Sequence, residues 1–491
     1  MRVSLLKASN DGIMGLQMIT FVEPLGLECV AGALEQEGHV CQIVDFRLED
    51  LEDGFSKLRT FGPEIVGLQC GFTTERYRVV YFAQRVRREF PDALVVVGGH
   101  DASRDPDWFM QPGIDVVALG DGEEVVPAMV RTLEKGGDLK TVPGLLLNGP
   151  DGPFNTGPPP PRRPLDELPL PARHLVKDYT GEYYMNFRRP LALVETARGC
   201  PFKCNFCSVW KFHESSFREK SPQRVVEELA QVEAPHVFIT DDIFWMNVKR
   251  GRQLAEAIKA AGIRKHFNVQ TRTDIVCRFP ELIDLWKECG KLTVFLGLEK
   301  IDDKGLKFVN KSNTAANNNR AIEIVQEAGV GYAPNFIVDP DWDYEDFDRL
   351  KSWIDRTGAY GAAFAILTPL PGTDLWDDQK DDVTTEDWEL YDLAHTVLPT
   401  KLPLDEFYQQ YAGLWQHALD VRYKIHGRLR THLDILAALA TRRVTVTAMR
   451  RGMRMGKVLS QPQNFLRGHS ESPARMAEVS RLLRPAAGAA A

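Results

Sequence analysis

The sequence predicts an α/β protein in which two units of alternating strands and helices follow one another along the chain. In each unit, short apolar runs of strand length alternate with segments of helical periodicity. A segment rich in proline and glycine separates the units, and 491 residues are enough for two or three domains. The predicted boundaries are a first domain at 1–148, a linker at 149–189, a second α/β domain at 190–375, a helical region at 376–424 and a basic, partly disordered tail at 425–491.

The composition is that of an ordinary globular protein, with 44% hydrophobic and 26% charged residues. A net charge of −8 argues against a nucleic-acid partner, because a nucleic-acid-binding domain normally carries a basic face. The eight cysteines are not spaced like a secreted disulfide framework, which favours a reducing cytoplasm. We find no signal peptide and no apolar stretch of about 18 residues, so no membrane-spanning helix is expected.

The first unit alternates five apolar runs with helical segments, which predicts a doubly wound parallel sheet. The predicted strands cover 3–6, 40–44, 65–68, 94–97 and 116–119, and the predicted helices cover 24–37, 51–58, 75–90 and 123–133, with a short one near Trp108. In such a sheet, ligands bind beyond the carboxyl ends of the strands.

Glycines lie at those ends, where they allow backbone to approach a ligand closely. They are Gly71 after the third strand, Gly98 and Gly99 before His100 after the fourth, and Gly120 and Gly122 before Glu123 after the fifth. Any one of them could serve the turn alone, so their joint placement is the signal. After this unit, residues 149–171 are too rich in proline and glycine for helix or sheet, which predicts an extended, semi-rigid linker.

The second unit contains six predicted strands, and its first strand leads into three cysteines. The strands cover 191–196, 237–240, 268–271, 292–298, 332–338 and 362–367, and the helices cover 222–233, 248–260, 279–289, 314–328 and 344–356. Cys200, Cys204 and Cys207 form a C-x3-C-x2-C loop on which three thiolates can converge. A [4Fe–4S] cluster usually takes four cysteines, so three leave one iron open for a ligand that is not protein. A zinc knuckle with His213 as fourth ligand is the alternative, although it does not account for the strand–helix units that follow.

With Phe206 directly before Cys207, this loop resembles the signature of radical S-adenosylmethionine (SAM) enzymes. The resemblance implies a partial (β/α)6 barrel with its site at the carboxyl ends of the strands. It also implies that SAM chelates the free iron and is cleaved to a 5′-deoxyadenosyl radical. The residues that would contact SAM are Phe206, Asp241, Asp242, Arg272, Glu299, Asn335 and Ile337. Each of the polar ones could instead be a salt-bridging or capping residue, and Asp242 could equally be an N-cap.

The glycine turns, together with residues 23–27, resemble the cobalamin-binding domain of B12-dependent radical SAM enzymes. The resemblance implies cobalamin contacts from Gly71, Phe72, Thr73, Gly98, Gly99, His100, Gly120, Gly122 and Glu123. The D-x-H-x-x-G histidine of B12-dependent mutases is missing, since Asp45-Phe46-Arg47 stands where the motif could begin. We therefore expect a cobalt without a histidine lower ligand, which the turn at 70–73 would approach.

Residues 208–212, 339–343 and 395–403 resemble the bacterial hopanoid C-3 methylase group, and the similarity extends to about residue 420. This implies a C-methyltransferase that uses methylcobalamin to methylate an unactivated sp3 carbon, C-3 of a hopanoid lipid, with an external electron donor of flavodoxin or ferredoxin type. Two alternatives stay open. The same cofactors could run a radical cyclisation or methylate another natural product, or the chain could be a non-enzymatic corrinoid- or zinc-binding protein.

The last hundred residues are expected to be helical. Aromatic and leucine positions in 388–423 predict core or lid packing, and residues 485–491 are expected to be disordered. The basic residues of the tail are Arg428, Arg430, Arg442, Arg443, Arg450, Arg451, Arg454 and Lys457. They predict either a solvated helix face or a surface that contacts the anionic headgroups of the inner membrane.

Overall fold

The computed structural model describes residues 1–8, 20–149, 152–185, 188–426 and 456–483. The strands of the first unit are β1 (Arg2–Lys7), β2 (Thr20–Phe21), β3 (Val40–Asp45), β4 (Ile65–Gln69), β5 (Leu94–Gly98), β6 (Val116–Ala118), β7 (Leu145–Gly149) and β8 (Gly152–Asn155). Its helices are α1 (Leu25–Gln36), α2 (Leu51–Phe61), α3 (Arg76–Glu89), α4 (His100–Arg104) and α5 (Gly122–Glu134).

Seven strands form the first sheet in the order β3-β1-β4-β5-β6-β7-β8. The first five are parallel, which confirms the doubly wound sheet. Helices α1 and α5 cover one face with residues such as Leu34 and Val130, while α2 and α3 cover the other with Phe55 and Phe82. The carboxyl ends of the parallel strands therefore open along one edge between the two helical layers.

The hairpin of β7 and β8 extends this sheet and corrects the prediction that 149–171 contains no strand. Strand β7 pairs with β6 in antiparallel orientation, which buries Leu145 and Leu146. The proline-rich segment after β8 packs back onto the first unit, since Pro159 lies against Gly120 and Gly144. This segment is therefore packed against the first unit and is not a free linker.

The second unit is an open half barrel. Its strands are β9 (Tyr184–Met185), β10 (Leu191–Val194), β11 (Ala197–Arg198), β12 (Arg218–Glu219), β13 (His236–Ile239), β14 (Lys265–Thr271), β15 (Gly290–Glu299), β16 (Gly331–Val338) and β17 (Ala363–Ile366). Its helices are α6 (Val209–Phe212), α7 (Pro222–Ala230), α8 (Val248–Ala260), α9 (Thr273–Arg278), α10 (Glu281–Lys287), α11 (Asp303–Phe308), α12 (Ala315–Glu327), α13 (Tyr344–Thr357) and α14 (Asp374–Gln379).

Six parallel strands run in the order β10-β13-β14-β15-β16-β17, which confirms the partial (β/α)6 barrel. The outward side chains pack under the surrounding helices in one continuous core. Because the strands are parallel, all six carboxyl ends meet at one rim, and the cysteine loop follows β10 at that rim.

Two long helices complete the molecule, α15 (Leu404–His426) and α16 (Pro462–Leu482). Tyr408 and Tyr411 of α15 are fully buried against the barrel, which confirms the predicted core packing. The expected helical character is found at 456–483, where α16 packs on α15 and also on α3 of the first sheet. Residues 428–454, which carry most of the basic stretch, and 485–491 lie outside the described residues.

In the described part of the chain, we find no helix that is both long enough and apolar enough to cross a membrane.

Candidate functional site

The cysteine loop is tied to the barrel on several sides. The backbone N–H of Cys207 donates to the carbonyl of Cys204 at 3.2 Å, which makes a tight turn. Asn310 Nδ2 donates to the carbonyl of Lys203 at 2.6 Å, and the guanidinium of Arg272 stacks on the Phe202 ring at 3.7 Å. Gly199 has φ +92, and a Cβ there would meet the Ser216 carbonyl at 2.1 Å, so only glycine fits before Cys200.

Two aspartates after β13 bind the residues that lead into the cysteine loop. Asp241 is buried, and its carboxylate accepts hydrogen bonds from the N–H groups of Thr196 and Ala197 and from the Thr196 hydroxyl. Asp242 accepts from the Gly199 N–H at 2.9 Å. Burial raises the pKa of Asp241 to about 7 and that of Asp242 to about 6. The carboxylate of Asp241 binds the strand that leads into the loop, and its expected contact with SAM stays a prediction.

Arg272 and Glu299 also bind protein groups. Arg272 donates to Asp274 and to the carbonyls of Lys311 and Ser312. Three of its five N–H donors and its stacked face are therefore directed at the polypeptide, and the expected contact with the SAM carboxylate stays a prediction. Glu299 ends β15 at a β-bulge with φ +63, and it pairs with Lys311 at 2.7 Å. A left-handed non-glycine residue of this kind costs on the order of 1–3 kcal/mol and tends to occur near functional sites.

Two more of the expected SAM residues come together on the barrel's inner side. Ile337 is buried with Leu367 and Leu375, and Phe206 of the cysteine loop packs against this group. Asn335 lies two positions earlier on β16, and its Nδ2 donates to the Ala333 carbonyl at 3.0 Å. The structure thus places Phe206, Ile337 and Asn335 along one side of the rim.

A cavity of about 310 Å³ lies beneath the glycine turns of the first sheet. Apolar residues of β1, β4, α1 and α5 form its walls, and Gly98, Gly99, His100, Gly120, Gly122 and Glu123 line its mouth. Gly99 has φ +115, and a Cβ there would meet the Cys70 carbonyl at 2.4 Å, so this turn requires glycine. The volume is at the lower end of small-molecule sites. The mouth reaches Glu195, Arg198, Phe212 and His213 of the half barrel.

Gly71, Phe72 and Thr73 of the turn after β4 are not among the residues that line this cavity, and their expected cobalamin contacts stay predictions. The Gly71 N–H donates to Glu75, and the Thr73 hydroxyl donates to the buried Asp101. Phe72 points outward and is 58% exposed. In place of a histidine near Asp45, the structure has an ion pair between Asp45 and Arg47.

The two units touch directly at the cavity mouth. His100 Nε2 lies 2.7 Å from Ser208 Oγ, one residue after Cys207, and the His100 ring packs on Phe212 at 4.7 Å. Burial lowers the pKa of His100 to about 4, so the ring is neutral near pH 7. Arg198, just before the cysteine loop, forms an ion pair with Glu123. Glu123 therefore binds the loop segment and also lines the cavity.

The three thiols are free to bind iron, because none of them is in a disulfide. Burial raises the pKa of each thiol, to about 12 for Cys207, so iron must displace the thiol protons when it binds. No group of three or more histidine, cysteine or acidic side chains among the described residues converges on a single metal ion. The ring of His213 lies 3.9 Å from Asp242. Three thiolates suit a cluster, in which each one holds a different iron.

Two family matches cover these two units. Residues 16–130 match the B12 binding domain, and residues 194–354 match the radical SAM superfamily. The hopanoid C-3 methylase of Methylococcus capsulatus is 36% identical over 430 residues, which cover 87% of this chain and 81% of that protein. The chain belongs to the B12-dependent radical SAM family that includes this methylase. It is therefore a cobalamin-dependent radical SAM methyltransferase whose cofactors are a [4Fe–4S] cluster, SAM and cobalamin, and it requires an external reductant.

Other members are more distant. The anaerobic magnesium-protoporphyrin IX monomethyl ester cyclase of Rubrivivax gelatinosus is 27% identical over 393 residues, covering 76% of this chain and 69% of that protein. Among solved structures, the radical SAM enzyme OxsB with cobalamin and SAM bound has a TM-score of 0.67 at 14% identity, covering 98% of this chain and 80% of that chain. The methyltransferase TsrM from Kitasatospora setae has a TM-score of 0.61 at 19% identity and covers 76% of each chain. At these identities the structures establish the shared fold.

Several residues at the interface are missing from the sequence-based prediction. Arg198, Ser208 and Phe212 connect the cysteine loop to the first unit, and Asp121 pairs with Arg218. A signal was present for Arg198, which directly precedes the Gly-Cys pair, and for Asp121, which stands between two glycines. Nothing local marks Ser208, because its partner lies 108 positions away.

Proposed function

We propose that this enzyme methylates an unactivated sp3 carbon of a hopanoid-type lipid, at C-3. The contact between His100 and Ser208 carries the proposal, because it sets the cobalamin-binding turn against the loop of the three cysteines. A methyl donor and a radical source can then serve the same substrate carbon. The substrate class rests on the 36% identity to hopanoid C-3 methylase, which is higher than the 27% to the ring cyclase.

In this proposal, Cys200, Cys204 and Cys207 each hold one iron of the cluster. The apolar cavity receives one arm of cobalamin, with Gly98, Gly99, His100, Gly120 and Gly122 at its mouth. Phe206, Asn335 and Ile337 form the SAM side of the rim. Asp241, Asp242, Arg272, Glu299 and Glu123 are positioning residues, because their side chains bind the polypeptide around the loop.

When bound, these cofactors supply a 5′-deoxyadenosyl radical that removes hydrogen from the substrate carbon and a methyl group that replaces it. A saturated ring carbon has no acidic proton and is no nucleophile, so the chain needs no general base. Its contribution is to position the groups and exclude water. The neutral His100 fits this task, because its contact with Ser208 does not change charge near pH 7.

We further propose that the enzyme works in the cytoplasm with a flavodoxin- or ferredoxin-type donor and takes its lipid from the membrane face. The basic stretch from Arg428 to Arg454 is the proposed membrane contact. Each Lys or Arg near an anionic surface contributes about 1 kcal/mol. Replacing these arginines by glutamine within the intact chain should lower sedimentation with anionic vesicles at low salt. Equal sedimentation of both proteins would remove the tail from the proposal.

The deciding experiment uses reduced, reconstituted enzyme with deuterium-methyl SAM and a hopanoid embedded in vesicles. We expect mass spectrometry to find the labelled methyl group on the hopanoid ring, and its position identifies the carbon. The Cys204→Ala variant is the matched control and should give no product. An unlabelled cyclised or rearranged product from wild-type enzyme and its natural lipid extract would assign the alternative reaction.

A further inference from the structure

The inside of the half barrel is not filled by its own side chains. Outward-facing residues such as Val237, Phe267 and Val294 are completely buried under the helices. Successive residues of a strand face opposite sides, so their neighbours face inward. The inward residues of β10, Leu191 and Leu193, are buried, and Phe238 packs with Leu193 against Leu25 and Cys29 of α1. Further along the sheet, the apolar inward residues Phe295, Ala333, Ala363 and Ala365 keep exposed surface. In a closed TIM barrel the interior is packed with side chains, whereas here the inner face of β15, β16 and β17 is partly open, and we call this space the chamber.

The end of this chamber away from the cysteine loop is polar. His236, His266, Asn268 and Thr293 lie near the amino ends of β13, β14 and β15, and we call these residues together with Arg188 the chamber floor. Arg188 enters from the segment before β10 and donates to Asn268 Oδ1 and, at 2.9 Å, to Thr293 Oγ1. His266 Nε2 lies 3.0 Å from the same hydroxyl, and the two imidazole rings are 5.4 Å apart.

This floor carries positive charge without a counter-ion. In the part of the chain that the structure describes, no carboxylate lies within ion-pair distance of Arg188. Burial lowers the pKa of Arg188 to about 10, which still leaves it charged at pH 7. It lowers the pKa of His236 to about 4 and of His266 to about 3, so both rings are neutral there. His236 Nδ1 is buried without a hydrogen-bond partner.

A buried charge with no partner is costly, and so is an unsatisfied ring nitrogen. An oxygen atom placed between Arg188 and His236 would relieve both, because the guanidinium has five N–H donors and only part of them are occupied. The residues therefore have the composition of a binding site for an oxygen-bearing group. If these residues only closed the lower end of the barrel, apolar side chains or a matched ion pair would be more stable there.

We propose that the chamber floor binds the oxygen-bearing end, hydroxylated or anionic, of a long and otherwise apolar substrate. This proposal rests on the proposed function and deepens it. The apolar body of the substrate lies along Phe295 and the alanines of β16 and β17. From Thr293 to Gly297 is four residues of β15, or about 13 Å at ~3.3 Å per residue. The reacting carbon at the rim and the polar end on the floor are therefore the two ends of the same elongated molecule.

Binding measurements on the reconstituted holoenzyme test the floor directly. Arg188→Met removes the charge and keeps an unbranched side chain, and Arg189→Met is the matched control, since Arg189 pairs with Glu182 outside the chamber. Three probes are compared: a polyhydroxylated hopanoid, the hopanoid hydrocarbon with the same rings, and a steroid carboxylate. Cluster and cobalamin absorption spectra report that each variant is correctly folded and loaded.

We expect Arg188→Met to weaken binding of the oxygen-bearing probes by about tenfold, the effect of losing one charge-assisted hydrogen bond. Binding of the hydrocarbon should not change, and Arg189→Met should bind all three probes like wild type. A larger loss for the carboxylate identifies an anionic end, and a larger loss for the polyol identifies hydroxyl groups. If Arg188→Met does not fold, His236→Phe replaces it with the same expectation.

Equal effects on oxygen-bearing and hydrocarbon probes, or no effect on any, would overturn the assignment and leave Arg188 as a closing residue. The steroid carboxylate is not a hopanoid, so its binding tests the chamber floor independently of the proposed function. If wild-type enzyme methylates no hopanoid but binds this probe through Arg188, the proposed substrate fails while the floor stands.

Discussion

The carboxyl ends of the two sheets meet at one interface but are built differently. In the first sheet, the turns after β5 and β6 bring glycines to the mouth of an open cavity, and the polar side chains between them, such as Glu123, bind across the interface. In the half barrel, the residues that follow β13 and β14 are charged, and Asp241, Asp242 and Arg272 are occupied by protein partners. The comparison teaches that glycine-rich ends leave room for a cofactor, whereas the charged ends of the half barrel hold the cysteine loop in place.

The largest effect is expected at the cysteine loop itself. Replacing Cys200, Cys204 or Cys207 by alanine removes one thiolate from the cluster, so anaerobically purified variants should lose the cluster and all 5′-deoxyadenosine formation. Iron analysis and product chromatography measure this. Cys289→Ala, at a buried cysteine of the outer core, is the control and should keep both. Stoichiometric zinc in the wild-type protein would contradict the prediction.

Variants of Asp241 test whether the charged residues after β13 hold the cysteine loop in place. Asp241→Ala loses three hydrogen bonds to Thr196 and Ala197 and should lose most of its cluster, with a free energy of unfolding lower by about 2–4 kcal/mol. Asp241→Asn can keep these contacts and should retain the cluster. Iron content and denaturant unfolding of the two variants give the comparison.

The Asn variant also has a pH signature. The folded pKa of Asp241 is about 7, above its ordinary value of 3.8, so the folded state holds the proton more tightly than the unfolded state. The free energy of unfolding of the wild type should therefore fall as pH rises from about 4 to about 7. Asp241→Asn should show a smaller fall, and an unchanged pH dependence would show that Asp241 ionises freely.

Variants of helix α16 test whether this helix holds the first sheet and the half barrel together. Arg475 pairs with the buried Asp387 at 2.7 Å, and Tyr77 of α3 lies 3.5 Å from Met476. Arg475→Met should lower the free energy of unfolding by about 1–3 kcal/mol, because Asp387 loses a charged partner. Arg467→Met, on the exposed side of the same helix, should stay within about 0.5 kcal/mol. Thermal unfolding measures both, and equal values would remove α16 from the interface.

The smallest effect is expected at the glycine-rich end. His100→Phe keeps the ring contact with Phe212 but loses the hydrogen bond to Ser208, so the two units should be less well aligned. We expect methylated product per SAM cleaved to fall by about threefold to tenfold, the value of one neutral hydrogen bond. Ser208→Ala should give the same result. Because His100 is neutral above about pH 5, the wild-type ratio should be constant between pH 6 and 8.

The sequence predicted most of the fold, since nearly every strand and helix of both α/β units lies within a few residues of its predicted position. Apolar periodicity is a local property, and parallel α/β units follow it closely. The hairpin of β7 and β8 was missed because its sequence is rich in glycine and proline. A helical C-terminal region was expected, but the docking of α16 on the first sheet was not, because its partners, such as Gln84, lie about 400 positions away.

The candidate site was predicted only where its signal is local in the sequence. The spacing of the cysteines marks them from the sequence alone, and the structure brings Phe206 and Ile337 together as expected. Residue type could not say which partner a charged side chain would choose. Arg272 suits a carboxylate of SAM or two peptide carbonyls equally well, and its contacts with the carbonyls of Lys311 and Ser312 depend on a chain path that the sequence does not show. Arg188 could not be found, because nothing nearby in sequence indicates that it enters the barrel.

The position of α16 has a consequence for how the protein is made. Met476 contacts Tyr77 across 399 positions of sequence, so the face of α3 that it covers is synthesised long before its cover. At roughly 5–20 residues per second, the ribosome needs on the order of tens of seconds to translate the intervening chain. During that interval the face of α3 lacks its cover, so the contact between α16 and the first sheet can form only after the whole half barrel has been synthesised.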